Sequence, residues 1–385
     1  MSYNGHPVID MDSHLFEGWD WSRTFDANMD QEYREKWADL RKGLETKSLG
    51  NLVWPRAANR PLGVLDAFAG QIQPIRGNAS GSHGTPNSRR GSEIDPATNW
   101  DPAVRLRDMD RASIDISVIF CSYLDGLCWM QDVGFEAAMN RAYHRYMSDY
   151  CAEGEGRLRW LANAVIRDVP EAVAQLRHWA EHDENFSGVF LPRACPDGTM
   201  LDTPLLHPLF AASQELDLPI WIHGGAYRPP LTPWVDATNG VYHGIGGLYA
   251  LHGLIGGGVF DLFPKLRVGL FESGCGWLPW AMEKLDALGP DNPMTPNLKR
   301  TPSEILEGGQ IFCSVEPDET FVEHAVEVLG EDIWLFSTDY PHSGTPWPDG
   351  VSMIAERALP ESAKIKLLGE NARRLLPRLG STVGK

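Results

Sequence analysis

The sequence lacks the features that mark a nucleic-acid-binding or membrane-spanning protein. Its 385 residues carry 34 lysines and arginines against 52 aspartates and glutamates, a formal net charge of −18. Proteins that bind phosphate backbones need clustered basic residues, so this excess of acid argues against nucleic acid and anionic membranes as partners. No stretch is long and apolar enough to span a bilayer, and the start MSYNGHPVIDMDSH shows no secretory signal pattern. We expect a cytoplasmic protein that acts on a small molecule.

Closely spaced cysteines are missing as well. The six cysteines are scattered through the chain and include no CxxC pair. A thiolate zinc site and a disulfide-stapled secreted fold both need cysteines at short, regular spacings. We therefore expect neither, and look for a metal site built from oxygen and nitrogen ligands.

What the sequence does contain, from residue 105 onward, is a regular alternation of short apolar runs and helical patterns. Such runs, rich in β-branched residues, are typical of parallel strands that are buried on both faces. With one N-terminal run there are eight: residues 8–12, 116–123, 158–166, 188–191, 218–225, 266–273, 310–315 and 333–338. Eight βα units predict an α/β fold, a (β/α)8 TIM barrel, with residues 1–385 as a single domain.

One segment interrupts this rhythm. Residues 17–101 follow the first strand and far exceed the length of an ordinary βα loop. Residues 21–43 are patterned as a helix in part, whereas residues 74–101 are rich in glycine, serine, asparagine and proline. Because βα loops stand over the mouth of a barrel, we expect this insertion to form a lid or a subunit contact. A plain surface loop is the alternative for its glycine-rich half.

Polar residues follow the apolar runs at the predicted strand ends, which in a barrel all face one mouth. The first strand carries Asp10, Asp12 and His14, which strand alternation places on the same side. Polar residues also end later strands: Arg193 follows the fourth, His223 the fifth, Glu272 and Ser273 the sixth, and Asp339 with His342 the eighth.

Five of these residues form an oxygen and nitrogen set that suits Zn²⁺, Mn²⁺ or Fe²⁺, namely Asp10, Asp12, His14, His223 and Asp339. A divalent ion polarises a substrate oxygen or activates a water, and Asp339 would be either a ligand or a base beside that water. Taken singly, each residue also has a structural explanation: Asp10 as a local hydrogen-bonding group, His223 as a buried core histidine. Three strands that end in ligand-type residues at one face favour the metal site.

The other histidines fit structural roles better. His178 and His182 have the spacing of a helical metal site, but their charged surroundings predict a solvated helix face. His243 and His252 lie in the glycine-rich stretch YHGIGGLYALHGLIGGG, where close helix packing is the expected role, and the alternative is that one of them reaches the mouth. This stretch lacks the Lys-Ser/Thr of a P-loop, so we expect no phosphate site.

Five motifs resemble those of the amidohydrolase-related family that includes aminocarboxymuconate-semialdehyde decarboxylase and the aromatic acid decarboxylases. They are IDMDSH (9–14), LPIWIHGG (218–225), GGVFDLFPKLRVGLFESGCGWLPW (257–280), FSTDYPH (336–342) and KIKLLGENARRLL (364–376). The resemblance covers residues 6–16 and 100–378 and implies a metal-dependent (β/α)8 barrel, most often with zinc or manganese. It places the first-strand ligands on Asp12 and His14, the strand-five ligand on His223 and the strand-eight aspartate on Asp339.

The sequence departs from this family after strand six. The family decarboxylases carry a histidine there that is linked to proton handling, and here the position falls on Ser273, preceded by Glu272. Glu272, His252 or His342 would replace it, or the chemistry differs. Asp12, in place of a first histidine, makes the site more anionic and shifts the expected metal toward manganese or iron.

The resemblance implies a decarboxylase or hydrolase acting on a small carboxylated substrate, cyclic or aromatic. We expect Asp339, His342 and Glu272 to take part in catalysis, and Arg193 and Ser273 to bind the substrate. Two alternatives remain: an iron-dependent oxygenase subunit, and a catalytically degraded barrel that works with a paralogous partner. We expect a homodimer.

Overall fold

The computed structural model describes residues 2–17, 20–46, 94–122, 124, 132–194, 200–223, 240–287, 289–342 and 345–381. Within these ranges, eight parallel strands form one sheet whose spatial order follows the chain. They are β1 Ile9–Leu15, β2 Ile116–Cys121, β3 Leu158–Asn163, β4 Phe186–Leu191, β5 Ile220–Ile222, β6 Val268–Leu270, β7 Ile311–Val315 and β8 Trp334–Phe336. A short hairpin precedes them, in which the two-residue strands Ser2–Tyr3 and His6–Pro7 pair antiparallel.

The eight strands are buried along their whole length, as their apolar composition requires. Large aromatic side chains fill the space between them. Phe120 packs against Trp221 and Phe271, with ring centroids 5.9 and 5.3 Å apart, and lies 4.5 Å from the ring of His223. An apolar layer therefore lies directly against one of the predicted metal ligands.

The sheet closes between its first and last strands through residues just beyond β8. The amide of Asp339 donates to the carbonyl of Asp12 at 2.9 Å, and the amide of His14 donates to the carbonyl of Tyr340 at 2.6 Å. Ser13 and Tyr340 form a parallel bridge there. The backbone contacts that close the barrel thus hold three predicted metal ligands side by side.

Helices follow the strands and begin at recognisable signals. Asp101 and Asp168 accept hydrogen bonds from backbone amides of the first turn, each followed by proline within two residues. Thr301 and Glu304 form a capping box. The helices are α1 Arg34–Thr46, α2 Pro102–Arg111, α3 Val133–Ala152, α4 Val169–His182, α5 His207–Glu215, α6 Gly240–Gly256, α7 Val259–Leu262, α8 Leu278–Asp286, α9 Pro302–Glu307, α10 Val322–Leu329, α11 Gly350–Glu356, α12 Glu361–Ile365 and α13 Asn371–Leu375.

The structure confirms the predicted barrel, while several strands end earlier than predicted. β5 spans Ile220–Ile222 within the predicted 218–225, of which residues 224 and 225 lie outside the described ranges. In the insertion, the predicted partial helix is present as a π-turn at Ser22–Asp26 and as α1. Residues 47–93 lie outside the described ranges, so the lid remains a prediction. Among the described residues, no helix has the length and apolarity needed to cross a membrane.

Candidate metal centre and active site

The ends of β1, β5 and β8 bring four predicted ligands together. His14 Nε2 lies 3.3 Å from Asp12 Oδ1, 3.2 Å from His223 Nε2 and 3.2 Å from Asp339 Oδ1. His223 Nε2 lies 3.3 Å from Asp12 Oδ2. All four side chains are buried. Residues separated by hundreds of positions therefore place their donor atoms around one point.

These contacts fit a cation better than they fit hydrogen bonds. His14 Nδ1 lies 3.2 Å from the carbonyl of Cys121, which favours the ring hydrogen at Nδ1 and a lone pair at Nε2, facing the other ligands. Asp12 Oδ1 and Asp339 Oδ1 are buried and accept no hydrogen bond of good geometry from the described residues. Ligand atoms roughly 3.0–3.4 Å apart are what surround an ion bonded at about 2.1 Å. The four residues fit a divalent metal.

The electrostatics of the cluster agree with this reading. Burial opposes a charge on His14, yet Asp12 and Asp339 together raise the pKa of His14 well above its usual value. Burial likewise opposes the charge on Asp339, but His342 and His14 hold the pKa of Asp339 well below its usual range. The site is an anionic pocket that stabilises positive charge, whether carried by a proton or by a metal ion.

Asp10 differs from the expectation that it joins the ligands. Its Oδ1 accepts the amide of Thr338 at 3.0 Å, and its Oδ2 accepts the Thr338 hydroxyl at 2.6 Å. The pairing of β1 with β2 shifts register between Asp10 and Ser13, which breaks the strict alternation assumed from the sequence. Asp10 instead fastens the end of β8 to β1, two residues from the first ligand.

His342 lies in the site, as predicted. Its Nδ1 is 2.6 Å from Asp339 Oδ1, and its ring stacks on that of His14 with centroids 4.0 Å apart. Its Nε2 lies 3.3 Å from the hydroxyl of Ser122. The sequence DYPH explains this placement, because only two residues lie between Asp339 and His342.

Glu272 occupies a second corner of the site, at the end of β6. Its Oε2 lies 2.8 Å from His243 Nδ1, 3.8 Å from His223 Nε2 and 3.9 Å from Arg193 Nη2. Burial would raise the pKa of Glu272, but its neighbours, His243 foremost and then His223 and Arg193, hold the pKa of Glu272 well below its usual value. Glu272 therefore sits as a carboxylate next to the metal ligands.

Arg193 and Ser273, predicted to bind the substrate, are engaged with the protein itself. Arg193 Nη2 donates to the carbonyls of Phe271 and Glu272 at 2.9 and 2.7 Å, and the side chain is 2% exposed. The Ser273 hydroxyl donates to the carbonyl of Phe271 at 3.0 Å. These contacts stabilise the turn after β6, and the role of the two residues in binding substrate stays a prediction.

His243 is the site residue that the sequence analysis gave only as an alternative to helix packing. Its glycine-rich surroundings predicted helix packing, and that packing is present in α6. The signal that could have found it is the spacing of His243 with Gly246 and Gly247, which share one helix face at i+3 and i+4. A helix face without side chains approaches its neighbour closely, and a histidine one turn away then reaches into it.

The family follows from comparison with known proteins. The model of the family described as Amidohydrolase matches residues 9–378, which is nearly the whole chain. The chain belongs to the amidohydrolase family, and it is an enzyme of this metal-dependent class. The barrel agrees with that membership, as do two overlapping groups of possible ligands that share His14: Asp12, His14 and His223, and His14, Asp339 and His342.

Three known proteins illustrate the similarity. The 2-amino-3-carboxymuconate-6-semialdehyde decarboxylase of Dictyostelium discoideum is 26% identical over 299 residues, 73% of this chain and 77% of its own. The gamma-resorcylate decarboxylase of Rhodococcus jostii (strain RHA1) is 25% identical over 294 residues, 67% and 86% of the two chains. The 5-carboxyvanillate decarboxylase of Novosphingobium aromaticivorans, solved with manganese and 4-hydroxy-3-methoxy-5-nitrobenzoic acid, shares the fold with a TM-score of 0.69, 18% identity and 96% coverage of both chains.

Proposed function

We propose that this protein is a metal-dependent decarboxylase of a small aromatic or related unsaturated carboxylate. The support is its family membership together with the decarboxylase activity named for the two sequence relatives. Manganese is the first metal to test, because the site supplies two carboxylates and the 5-carboxyvanillate decarboxylase was solved with that ion.

One observation carries the proposal: His14 Nε2 lies 3.2–3.3 Å from donor atoms of Asp12, His223 and Asp339, and His223 Nε2 lies 3.3 Å from Asp12, all of them buried. Asp12, His14, His223 and Asp339 would hold the metal. A bound divalent ion supplies a Lewis acid that polarises a substrate oxygen. The predicted roles of His342 and Glu272 in catalysis stay predictions, favoured by their positions beside the ligands.

Proton transfer and the exclusion of water from the site depend on side chains of the protein. Decarboxylation removes carbon dioxide and places a proton on the carbon that carried it, so a residue must hold that proton near the substrate. The aromatic layer of Phe120, Trp221 and Phe271 keeps water away from the inner side of the site. A dry site strengthens every charge interaction with the substrate.

The two alternatives gain no support from the comparisons. The relatives named above are decarboxylases, and none is an oxygenase. A degraded subunit would have no need for four buried ligand side chains with converging donor atoms. The homodimer stays a prediction.

The experiment that tests the proposal is a substrate screen with the metal-loaded protein. The substrates are 2,6-dihydroxybenzoate, 5-carboxyvanillate and 2-amino-3-carboxymuconate semialdehyde, and the measurement is release of carbon dioxide. We expect turnover of at least one substrate, lost on chelation and in His223→Ala. A metal-loaded protein that binds these carboxylates without releasing carbon dioxide would contradict the proposal.

A further inference from the structure

Decarboxylation needs a proton donor, and two imidazoles of the described site are candidates. His342 Nδ1 lies 2.6 Å from Asp339 Oδ1, and the Asp339 carboxylate is itself a metal ligand in our assignment. His243 is bonded to Glu272, whose carboxylate lies outside the cluster of ligand atoms. The nearest of the three side chains around Glu272 Oε2 is His243, at 2.8 Å against 3.8 Å for His223 and 3.9 Å for Arg193. The geometry therefore favours His243, and this inference rests on the proposed function.

The close packing of helix α6 places His243 beside Glu272. A Cβ added to Gly247 would lie 2.5 Å from Ser273 Oγ, and a Cβ on Gly246 would overlap the side chain of Arg193. These two glycines let α6 settle directly on the turn after β6. His243, one helical turn earlier on the same face, then meets Glu272 at hydrogen-bond distance.

Hydrogen bonds to its backbone fix Glu272 in the position where it contacts the imidazole of His243. Its amide donates to Ser314 Oγ at 3.1 Å, and Arg193 binds its carbonyl. Its φ of +49° is a strained value for a residue with a side chain, and such strain is typical of functional positions. His243 Nδ1 lies 2.8 Å from the Glu272 carboxylate and 3.0 Å from the Glu272 carbonyl, so both oxygens fix the same ring nitrogen as the donor.

We propose that His243 is the proton donor of the decarboxylation and that Glu272 orients it. A carboxylate on Nδ1 fixes the orientation of an imidazole and stabilises its protonated form, which leaves Nε2 to give up the proton. His243 is 14% exposed at its side chain, against 4% for His223, so it is the more accessible of the two rings.

The step balances without a further reactant. The proton on His243 Nε2 forms the new C–H bond at the carbon that carries the carboxylate. The bond from that carbon to the carboxylate then breaks, its electron pair returns to the substrate, and carbon dioxide leaves. The imidazole regains a proton from water before the next turnover.

The test compares His243→Asn with His252→Asn. His252 lies on the same helix and is exposed, so it is the matched control. Each variant is assayed on a substrate that the wild-type protein decarboxylates, with bound metal measured by elemental analysis. In His243→Asn we expect kcat to fall by roughly 10²–10⁴-fold, the usual contribution of a general acid, with bound metal unchanged. His252→Asn should match the wild type.

A second readout separates proton transfer from a structural role. In D2O, the wild-type protein should exchange the hydrogen of the decarboxylated product at the reacting carbon, and His243→Asn should not. Added imidazole should restore part of both activities in His243→Gly. A wild-type rate in His243→Asn, or loss of its bound metal, would overturn the inference while leaving the decarboxylase intact. A wild-type protein that decarboxylates none of the substrates would overturn the proposed function first.

Discussion

Two corners of the site share one local design and perform different tasks. Asp339 follows β8 and Glu272 follows β6, and both adopt left-handed backbone conformations, with φ of +54° and +49°. Each carboxylate lies close to the Nδ1 of a histidine, at 2.6 Å for Asp339 with His342 and 2.8 Å for Glu272 with His243. The pairs look alike, yet Asp339 and His342 belong to a group of possible metal ligands with His14, and Glu272 and His243 belong to no such group among the described residues.

The difference lies in where each histidine comes from and what else the carboxylate touches. His342 is three residues beyond Asp339, whereas His243 precedes Glu272 by 29 residues on another element. Asp339 Oδ1 lies 3.2 Å from the ligand nitrogen of His14, and Glu272 Oε2 lies 3.8 Å from that of His223. One carboxylate is close enough to share a metal, and the other is a neighbour of the metal ligands. This difference supports our proposals that the first corner binds the metal and that the second handles the proton.

The substitution with the largest expected effect is Asp339→Asn. It keeps the shape of the side chain and removes the charge that faces the metal, so we expect bound metal to fall well below one ion per chain. Turnover should fall roughly 10³-fold or more, because a bound metal lowers the activation free energy by several kcal/mol. Elemental analysis and the decarboxylation assay measure both. Asp332→Asn, at an exposed aspartate before the same strand, is the control and should behave as wild type.

Glu272→Gln should separate the two corners. It removes the charge that orients His243 and leaves all four ligands in place, so kcat should fall about 10²–10³-fold. Bound metal should stay at the wild-type level. If the variant lost its metal as fully as Asp339→Asn, Glu272 would be a ligand and the distinction between the corners would fail.

His144 is buried outside the site and shows how burial changes the pKa of an imidazole that has an amide oxygen, not a carboxylate, as its partner. Its Nδ1 lies 3.1 Å from the amide oxygen of Gln175, and burial lowers the pKa of His144 to about 4. The unfolded value is about 6.5, so the folded state binds this proton less tightly. The stability that His144 contributes is complete above about pH 6.5 and is lost as pH falls toward 4.

Urea denaturation at pH 7 and pH 4 measures this effect. Between these values the wild type should lose about 3 kcal/mol of unfolding free energy more than His144→Gln does. His178→Gln, at an exposed histidine, should keep the full loss. Equal pH dependence in the wild type and His144→Gln would show that burial does not hold this imidazole neutral.

The smallest expected effect concerns the packing that places His243. In Gly247→Ala, the new Cβ would lie 2.5 Å from Ser273 Oγ and 2.8 Å from its Cβ, so α6 must shift away from the turn after β6. We expect a loss of about 2 kcal/mol in unfolding free energy, together with a lower kcat. Gly256→Ala, on the same helix with nothing within 4 Å, should cost nothing in either measurement. An unchanged kcat in Gly247→Ala would show that the packing of α6 on this turn does not affect catalysis.

The same comparison explains which parts of the site could be predicted from the sequence. Asp339 and His342 lie in one short motif after an apolar run, so strand and ligands are visible together. The barrel could be predicted from the alternation of apolar runs and helical patterns, because each buried parallel strand appears in the sequence as an apolar run. Asp12, His14 and His223 were found for this reason, and the structure brings them together.

The rest depends on contacts between distant elements. His243 was assigned to helix packing because the sequence does not show that α6 rests on β6. Arg193 follows a strand as a substrate-binding residue would, but its partners are backbone carbonyls, which carry no sequence signal. Asp10 was expected among the ligands because strand alternation was assumed, and the register shift in β1 breaks that alternation.

The most direct test of this account is the metal content of the purified, unchelated protein, measured by elemental mass spectrometry. The account predicts about one divalent ion per chain, manganese before zinc, held by the buried set of two carboxylates and two imidazoles. A protein that retains no divalent ion, even after reconstitution with manganese, zinc and ferrous iron, would contradict the central claim.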